Sequence, residues 1–211
     1  AKVSFGKCCF MNTAIQKFIV PSNLEVLQRS IFKNCQNLNE VKIDENDSKI
    51  KLIKSEAFKS SGINKITIPY RTRIIENNSF DDCSKLSKLC LFGKLKSLSI
   101  SFTNCQNLKT ITLSNKMHVK EIYENTFSGC AIEDITIPKS IKRIHKHSFL
   151  NCDKLKSIIF LDKVNIDSFA FLGCKHLETI KTDSSIKLKA SFSDEHFPFN
   201  DNNLFVLFKK E

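Results

Sequence analysis

Cysteine and histidine are the side chains best equipped for chemistry in this 211-residue chain, which holds nine of the first and five of the second. A structural zinc site requires short-spaced pairs of such ligands, and a thiol nucleophile requires a base beside it. The spacing supplies neither. No Cys-x-x-Cys pair occurs, and no two histidines stand at zinc-finger distance from two cysteines. His145 and His147 flank Lys146, an alternation that can grip a metal but is equally that of solvent-facing residues in a turn. Six cysteines instead share one position: Cys35, Cys83, Cys105, Cys130, Cys152 and Cys174 each follow a phenylalanine by three residues. Thr13 and Ser61 occupy that position elsewhere, so the requirement is for a small side chain. These cysteines read as a column of reduced core thiols acting as small apolar groups. Parallel side chains in a column suit disulfide geometry poorly. Cys8, Cys9 and Cys90 fall outside the column. Alternation along a strand turns Cys90 outward, making it the thiol expected to react first.

Other catalytic apparatus is missing from the pattern. Five scattered glycines make no phosphate-cradling loop, and neither G-x-S-x-G nor H-E-x-x-H occurs. The carboxylates show no paired spacing tied to a pocket. The expectation is a non-enzymatic protein with no cofactor and no metal.

The elements that position the thiols repeat. The anchoring phenylalanines are Phe10, Phe32, Phe58, Phe80, Phe102, Phe127, Phe149, Phe171 and Phe192, spaced 22, 26, 22, 22, 25, 22, 22 and 21 residues apart. Around each lies one phrase, clearest from Ile144 through Phe149, Cys152, Leu155 and Ile158 to Phe160. Phe149 and Cys152 fit one face of a helical turn, and Ile158 and Phe160 fit one face of a strand. Shorter copies close their strands with Pro21, Pro69 and Pro138, since proline cannot extend a ladder. A period of ~20–29 residues is that of leucine-rich repeats. The fold expected is therefore a repeat solenoid of α/β type, with about eight repeats. It has a parallel β-sheet on one face, short helical turns or loops on the other, and strands stacked ~4.7–4.9 Å apart.

Residues 1–190 form this solenoid, and 191–211 read as a C-terminal capping segment. There Phe197-Pro198-Phe199 and Asn200 to Asn203 interrupt the phrase, and Leu204 to Phe208 resembles a last strand. The first copy begins mid-phrase and shows no cap, so preceding residues or a partner are expected to cover it. Insertions at Asp44 to Ser48 and at Asn115 to His118 both follow strands. They protrude on one edge, either as working loops or as tolerated bulges.

The outward positions of the strands are the candidate contact surface. Alternation places Lys42, Thr67, Lys88, Phe92, Thr112, Thr136, Ile159, Leu161 and Lys181 there. Phe92, Ile159 and Leu161 are apolar where polar residues would be cheaper. They read as contact positions or as ordinary scattered exposure.

The formal net charge of +11 comes from 33 basic and 22 acidic residues. The lysines are dispersed and form no block, which disfavours a nucleic-acid partner and favours an acidic partner of some kind, a cell surface, a glycan or an acidic protein tail. The apolar run Leu204 to Phe208 is far below the ~18–20 residues of a membrane span. The start, Ala1 to Phe5, has no signal-peptide pattern.

The phrase Ile-x4-Phe-x2-Cys-x2-Leu-x2-Ile-x-Ile, as it runs from Ile144, resembles the BspA-type leucine-rich repeat, leucine-rich repeat type 5, over about residues 2–190. The resemblance implies a surface or secreted protein of a bacterium or an anaerobic protist parasite. It also implies cell adhesion to host surface, host matrix or other microbes. The missing signal and anchor, and the unpaired thiols, leave a second reading open. That reading is an intracellular scaffold in the cytoplasm or cytoskeleton, part of a large assembly such as a microtubule complex.

Overall fold

The computed structural model describes residues 3–44, 47–96 and 101–183, together with the backbone of 205–209. In it the chain is a parallel β-solenoid. Longer strands line one side: β1 (Lys17–Ile19), β3 (Glu40–Lys42), β5 (Lys65–Ile68), β7 (Lys88–Leu91), β8 (Thr110–Leu113), β10 (Asp134–Ile137), β12 (Ser157–Phe160), β14 (Thr179–Asp183) and β15 (Phe205–Lys209). Two-residue strands line a second side: β2 (Val26–Leu27), β4 (Leu52–Ile53), β6 (Ile74–Ile75), β9 (Glu121–Ile122), β11 (Arg143–Ile144) and β13 (Asn165–Ile166). The main side pairs in the orders β1-β3-β5-β7-β8 and β10-β12-β14-β15, and the minor side in the orders β2-β4-β6 and β9-β11-β13.

The phenylalanine anchors hold the coils together from within. Phe10, Phe32, Phe58, Phe80, Phe102, Phe127, Phe149 and Phe171 form one column, with ring centroids 5.0 to 5.6 Å apart. All but Phe10 are fully buried. Burying one such ring contributes roughly 1.5–3 kcal/mol. The ninth anchor, Phe192, lies outside the described residues, as does most of the expected C-terminal cap. Within that segment, β15 pairs in parallel with β14.

The Phe-x2-Cys spacing predicts a helical turn, and here the structure differs. No helix occurs among the described residues; the corner is a string of β-turns. At Phe32, the amides of Ile31, Lys33 and Cys35 each donate to the carbonyl three residues back, at 3.2 Å. Ser30 and Asn34 have φ of 54° and 61°, the positive third-position angle of a type II turn. The alternate amides cross to the next coil: Ser30 to Ser55 at 3.1 Å, Phe32 to Ala57 at 2.8 Å and Asn34 to Lys59 at 2.9 Å. An α-helix would direct its amides along its own axis and leave none to join neighbouring coils. The residue two after the anchor has positive φ in every described coil: Asn12, Asn34, Ser60, Asp82, Asn104, Gly129, Asn151 and Gly173. Asparagine, aspartate and glycine enter that region at least cost.

The cysteine column has a specific role in this corner. Each slot thiol donates to the carbonyl of the preceding anchor: Cys35 to Phe10, Cys83 to Phe58, Cys105 to Phe80, Cys130 to Phe102, Cys152 to Phe127 and Cys174 to Phe149, at 2.8 to 3.3 Å. The slot thus takes a small group that can also donate a hydrogen bond. The nine cysteines are all free thiols.

The main sheet is interrupted twice, each time after an insertion. β1 pairs with β3 over three positions and β5 with β7 over four, whereas β3 and β5 pair only at Glu40 and Lys65. β8 and β10 share no ladder. In both places a long coil carrying an insertion meets a short coil, the one at Phe58 or the one at Phe127. The short coil draws in toward its predecessor, and the Gly62 amide donates to Cys35 O at 3.0 Å. A Cβ on Gly62 would lie 2.0 Å from Gln36 O.

Candidate binding face

The outer face of the main sheet is built by strand alternation. In each strand one set of side chains enters the core and the other faces out. Phe18, Val41, Ile66, Leu89, Ile111, Ile135, Ile158 and Ile180 are buried, and their neighbours form the outer rows. The first outer row runs Lys17, Glu40, Lys65, Lys88 and Thr110, each residue beside the next. The second contains Ile19 beside Lys42, then Thr67, Cys90 and Thr112 in register. Beyond the interruption, Thr136, Ile159 and Lys181 stand in register.

All nine candidate residues fall in these rows or just past their ends. Lys42, Lys88, Thr112, Thr136 and Lys181 are exposed, and Thr67, Phe92, Ile159 and Leu161 are half-buried. Phe92 and Leu161 occupy equivalent places after β7 and β12. Their amides donate to Ile68 O and Ile137 O of the preceding coil, at 3.3 and 3.1 Å. Ile19, a weaker apolar candidate, is the most exposed large hydrophobic side chain among the described residues, at 64 %.

Where β3 and β5 part, the face is concave. A cavity of about 520 Å³ opens there, bringing Lys42, Thr67, Lys88 and Phe92 together with Glu40, Ile43, Lys65 and Cys90. Thr112, Thr136, Ile159, Leu161 and Lys181 do not line it. Lys17 pairs with Glu40 at 2.8 Å, holding that carboxyl below its usual range with help from Lys42 and Lys65. Cys90 faces this side, as alternation requires, but it is only 8 % exposed. Set between Thr67 and Thr112, its short side chain is shaded, so it is not the accessible thiol. Cys8 and Cys9 are.

Two features escaped the sequence. A polar groove of about 590 Å³ lies along the edge leading into the strands, lined by Gln16, Asn37, Asn39, Asn64, Lys85 and Asn107. It forms because the short coil at Gly62 sits low, and Lys85 bridges it to reach Gln36 O at 3.2 Å. On the minor side His145 is no free loop residue: it stacks on Tyr123 and meets Glu121 at 2.6 Å and Asp167 at 3.4 Å. Arg143 adds a two-nitrogen contact to Asp167. The signal for that side was the apolar residue five before every described anchor but Phe102, within a strand too short to show alternation. Among the described residues, no group of three or more His, Cys, Asp or Glu is placed to hold a metal ion. No helix there is long and apolar enough to cross a membrane.

The BspA type leucine rich repeat region matches this chain over residues 3–101 and 98–197, in six copies. The chain belongs to that family. No curated protein matches it. Among solved structures it is similar to a leucine-rich repeat protein from Bacteroides ovatus, with 22% identity and a TM-score of 0.51, covering 98% of this chain and 64% of that one. The T. pallidum leucine rich repeat protein TpLRR gives 19% identity and a TM-score of 0.54, covering 77% and 78%. The pneumococcal vaccine antigen PcpA gives 17% and 0.51, covering 94% and 64%. At these identities the likeness shows the fold. The chain spans 64% of the length of the first of these relatives. Membership of a leucine-rich repeat family suggests a protein-binding module, and the family and fold are typically non-enzymatic.

Proposed function

We propose that the chain binds a protein partner through the outer face of its main sheet, and that it serves as a surface or adhesion module. The observation that carries this reading is the set of apolar side chains, Phe92, Ile159 and Leu161, kept half-exposed in mostly polar outer rows. A solvated sheet gains nothing from them, whereas a partner that covers them gains their burial. The adhesion role rests on the family, whose members are found largely at cell surfaces. Panning a displayed peptide library on the immobilised chain tests the face. Selected binders should lose affinity by about tenfold for Phe92→Asp and Ile159→Asp variants that melt like the parent. Binders indifferent to both variants refute the reading.

One observation favours a second reading. Nine free thiols suit a reducing compartment, where disulfides rarely persist, and so an intracellular scaffold with an acidic partner. Antibody staining of intact and of permeabilised source cells separates the two: signal only after permeabilisation supports the scaffold.

A further inference from the structure

We propose that the cavity between β3 and β7 is a docking site for an acidic peptide segment of a partner protein, one that carries an apolar side chain among its carboxylates. This rests on the reading of the main-sheet face as the binding surface, and it assigns that surface a ligand chemistry. Lys42, Lys65 and Lys88 are all exposed around the cavity. None of them makes an ion pair among the described residues, while the one lining carboxylate, Glu40, is already matched by Lys17 at 2.8 Å. Three ammonium groups thus face a concave site without an ion-pair partner, and with Lys17 they outnumber the one carboxylate, Glu40. Charges of one sign gathered in a cleft with low-dielectric walls attract an opposite charge more strongly than dispersed ones do.

The floor adds the second half of the requirement. Phe92 and Ile43 are half-buried and Cys90 is covered, so the base of the cavity is apolar beneath a cationic rim. A ligand of carboxylates alone would leave that floor wet. The acidic residues of the neighbouring insertion do not fill the site: Asp44 and Asp47 are not in its lining, and the Asp47 amide donates to Asp44 Oδ1 at 3.0 Å within their own turn.

A nucleic acid fits less well. The outer rows carry no lysine from β8 to β12, continuing as Thr110, Thr112, Asp134, Thr136 and Ser157, and Lys181 in β14 stands apart from the three at the cavity. The cationic stretch spans three strands, roughly 10–15 Å, which suits one short segment and gives no track for a phosphate backbone.

The test is fluorescence anisotropy of the full chain with three labelled probes. These are an Asp/Glu-rich peptide with one central Phe, the same peptide with Ser in that place, and an oligothymidylate of equal charge. The Phe peptide should bind best, and should lose about tenfold in affinity when Lys42, Lys65 and Lys88 are changed to Glu. The control Lys109→Glu, Lys120→Glu, Lys175→Glu carries the same charge change at exposed positions elsewhere and should lose far less. The single Lys88→Ala should lose part of the affinity, which guards against misfolding of the triple variant. Equal losses in the two triple variants overturn the proposal, as does equal binding of the Phe and Ser peptides. Tighter binding of the oligonucleotide with the same lysine dependence overturns it in favour of nucleic acid. If the acidic peptides fail while library-selected ligands remain sensitive to Ile159→Asp, the acidic-partner inference falls and the face reading stands.

Discussion

Replacing Phe102 by alanine should do more than destabilise; it should divide the array. The ring is fully buried and stacks on Phe80 at 5.4 Å and Phe127 at 5.6 Å. Phe→Ala at a packed core site costs ~3–5 kcal/mol, a figure that already contains most of the two ring pairs. Position then decides the form of the loss. In repeat arrays stability is close to a sum over nearest-neighbour interfaces, and the interface above Phe102 is the one where β8 and β10 share no ladder. Across that seam run the ring stack, the Phe102 amide to Thr126 O at 2.8 Å, the Asn104 amide to Ser128 O at 3.4 Å, the Thr103 hydroxyl to Asn125 O at 3.4 Å, and the Cys130 thiol to Phe102 O at 3.3 Å. Phe80→Ala is the matched control. Its ring is equally buried, but its coil is tied on both sides by four paired positions, between β5 and β7 and between β7 and β8. Urea unfolding followed by circular dichroism and by hydrogen exchange should show one shifted transition for Phe80→Ala. Phe102→Ala should show two, with the segments before and after the seam losing protection separately. A loss below ~1 kcal/mol, or one coincident transition for both variants, would refute the reasoning.

Three further outcomes follow from the same geometry. Under native conditions a thiol reagent should label Cys8 and Cys9 promptly and Cys90 slowly, and all nine cysteines after denaturation; fast labelling of a slot cysteine would contradict the buried column. Stability should fall with alkaline pH. The neighbouring Cys83 thiol and burial raise Cys105, burial raises Cys130, and the Cys174 thiol and burial raise Cys152. Raised folded values leave their contribution whole below the unfolded thiol pKa of about 8.5 and remove it as pH climbs toward the folded values, by about 1.4 kcal/mol per thiol per pH unit. Stability measured from neutral pH to about pH 10 should show this slope, and serine in the three slots should flatten it. Gly62→Ala should cost ~1–3 kcal/mol by thermal melting, because its Cβ would meet Gln36 O, a backbone atom that cannot swing away.

The phenylalanine spacing was enough to place every described anchor in one column, and strand alternation was enough to put Lys42, Thr67, Lys88 and Ile159 on the outer face. Two things were not legible for physical reasons. A three-residue separation such as Phe149 to Cys152 serves a helical turn and a pair of β-turns equally. The deciding signal was the residue between them, since asparagine, aspartate or glycine two after the anchor marks positive φ in seven of the eight described coils. The cavity was hidden because it arises from a mismatch between coils. The long coil at Phe32 and the short one at Phe58 part after Glu40, a relation that no single copy of the phrase contains. Alternation turns Cys90 outward but says nothing of the neighbours that shade a short side chain, which is why it is buried.

Hydroxyl-radical footprinting of the full chain, free and bound to a library-selected ligand, shows whether the outer face of the main sheet is where this solenoid meets its partner. Protection should be concentrated at Phe92, Ile43, Ile159 and Leu161, with the minor side unchanged. Protection confined to Val26, Leu52 and Ile74 on the minor side, or to the turn corners, would contradict it.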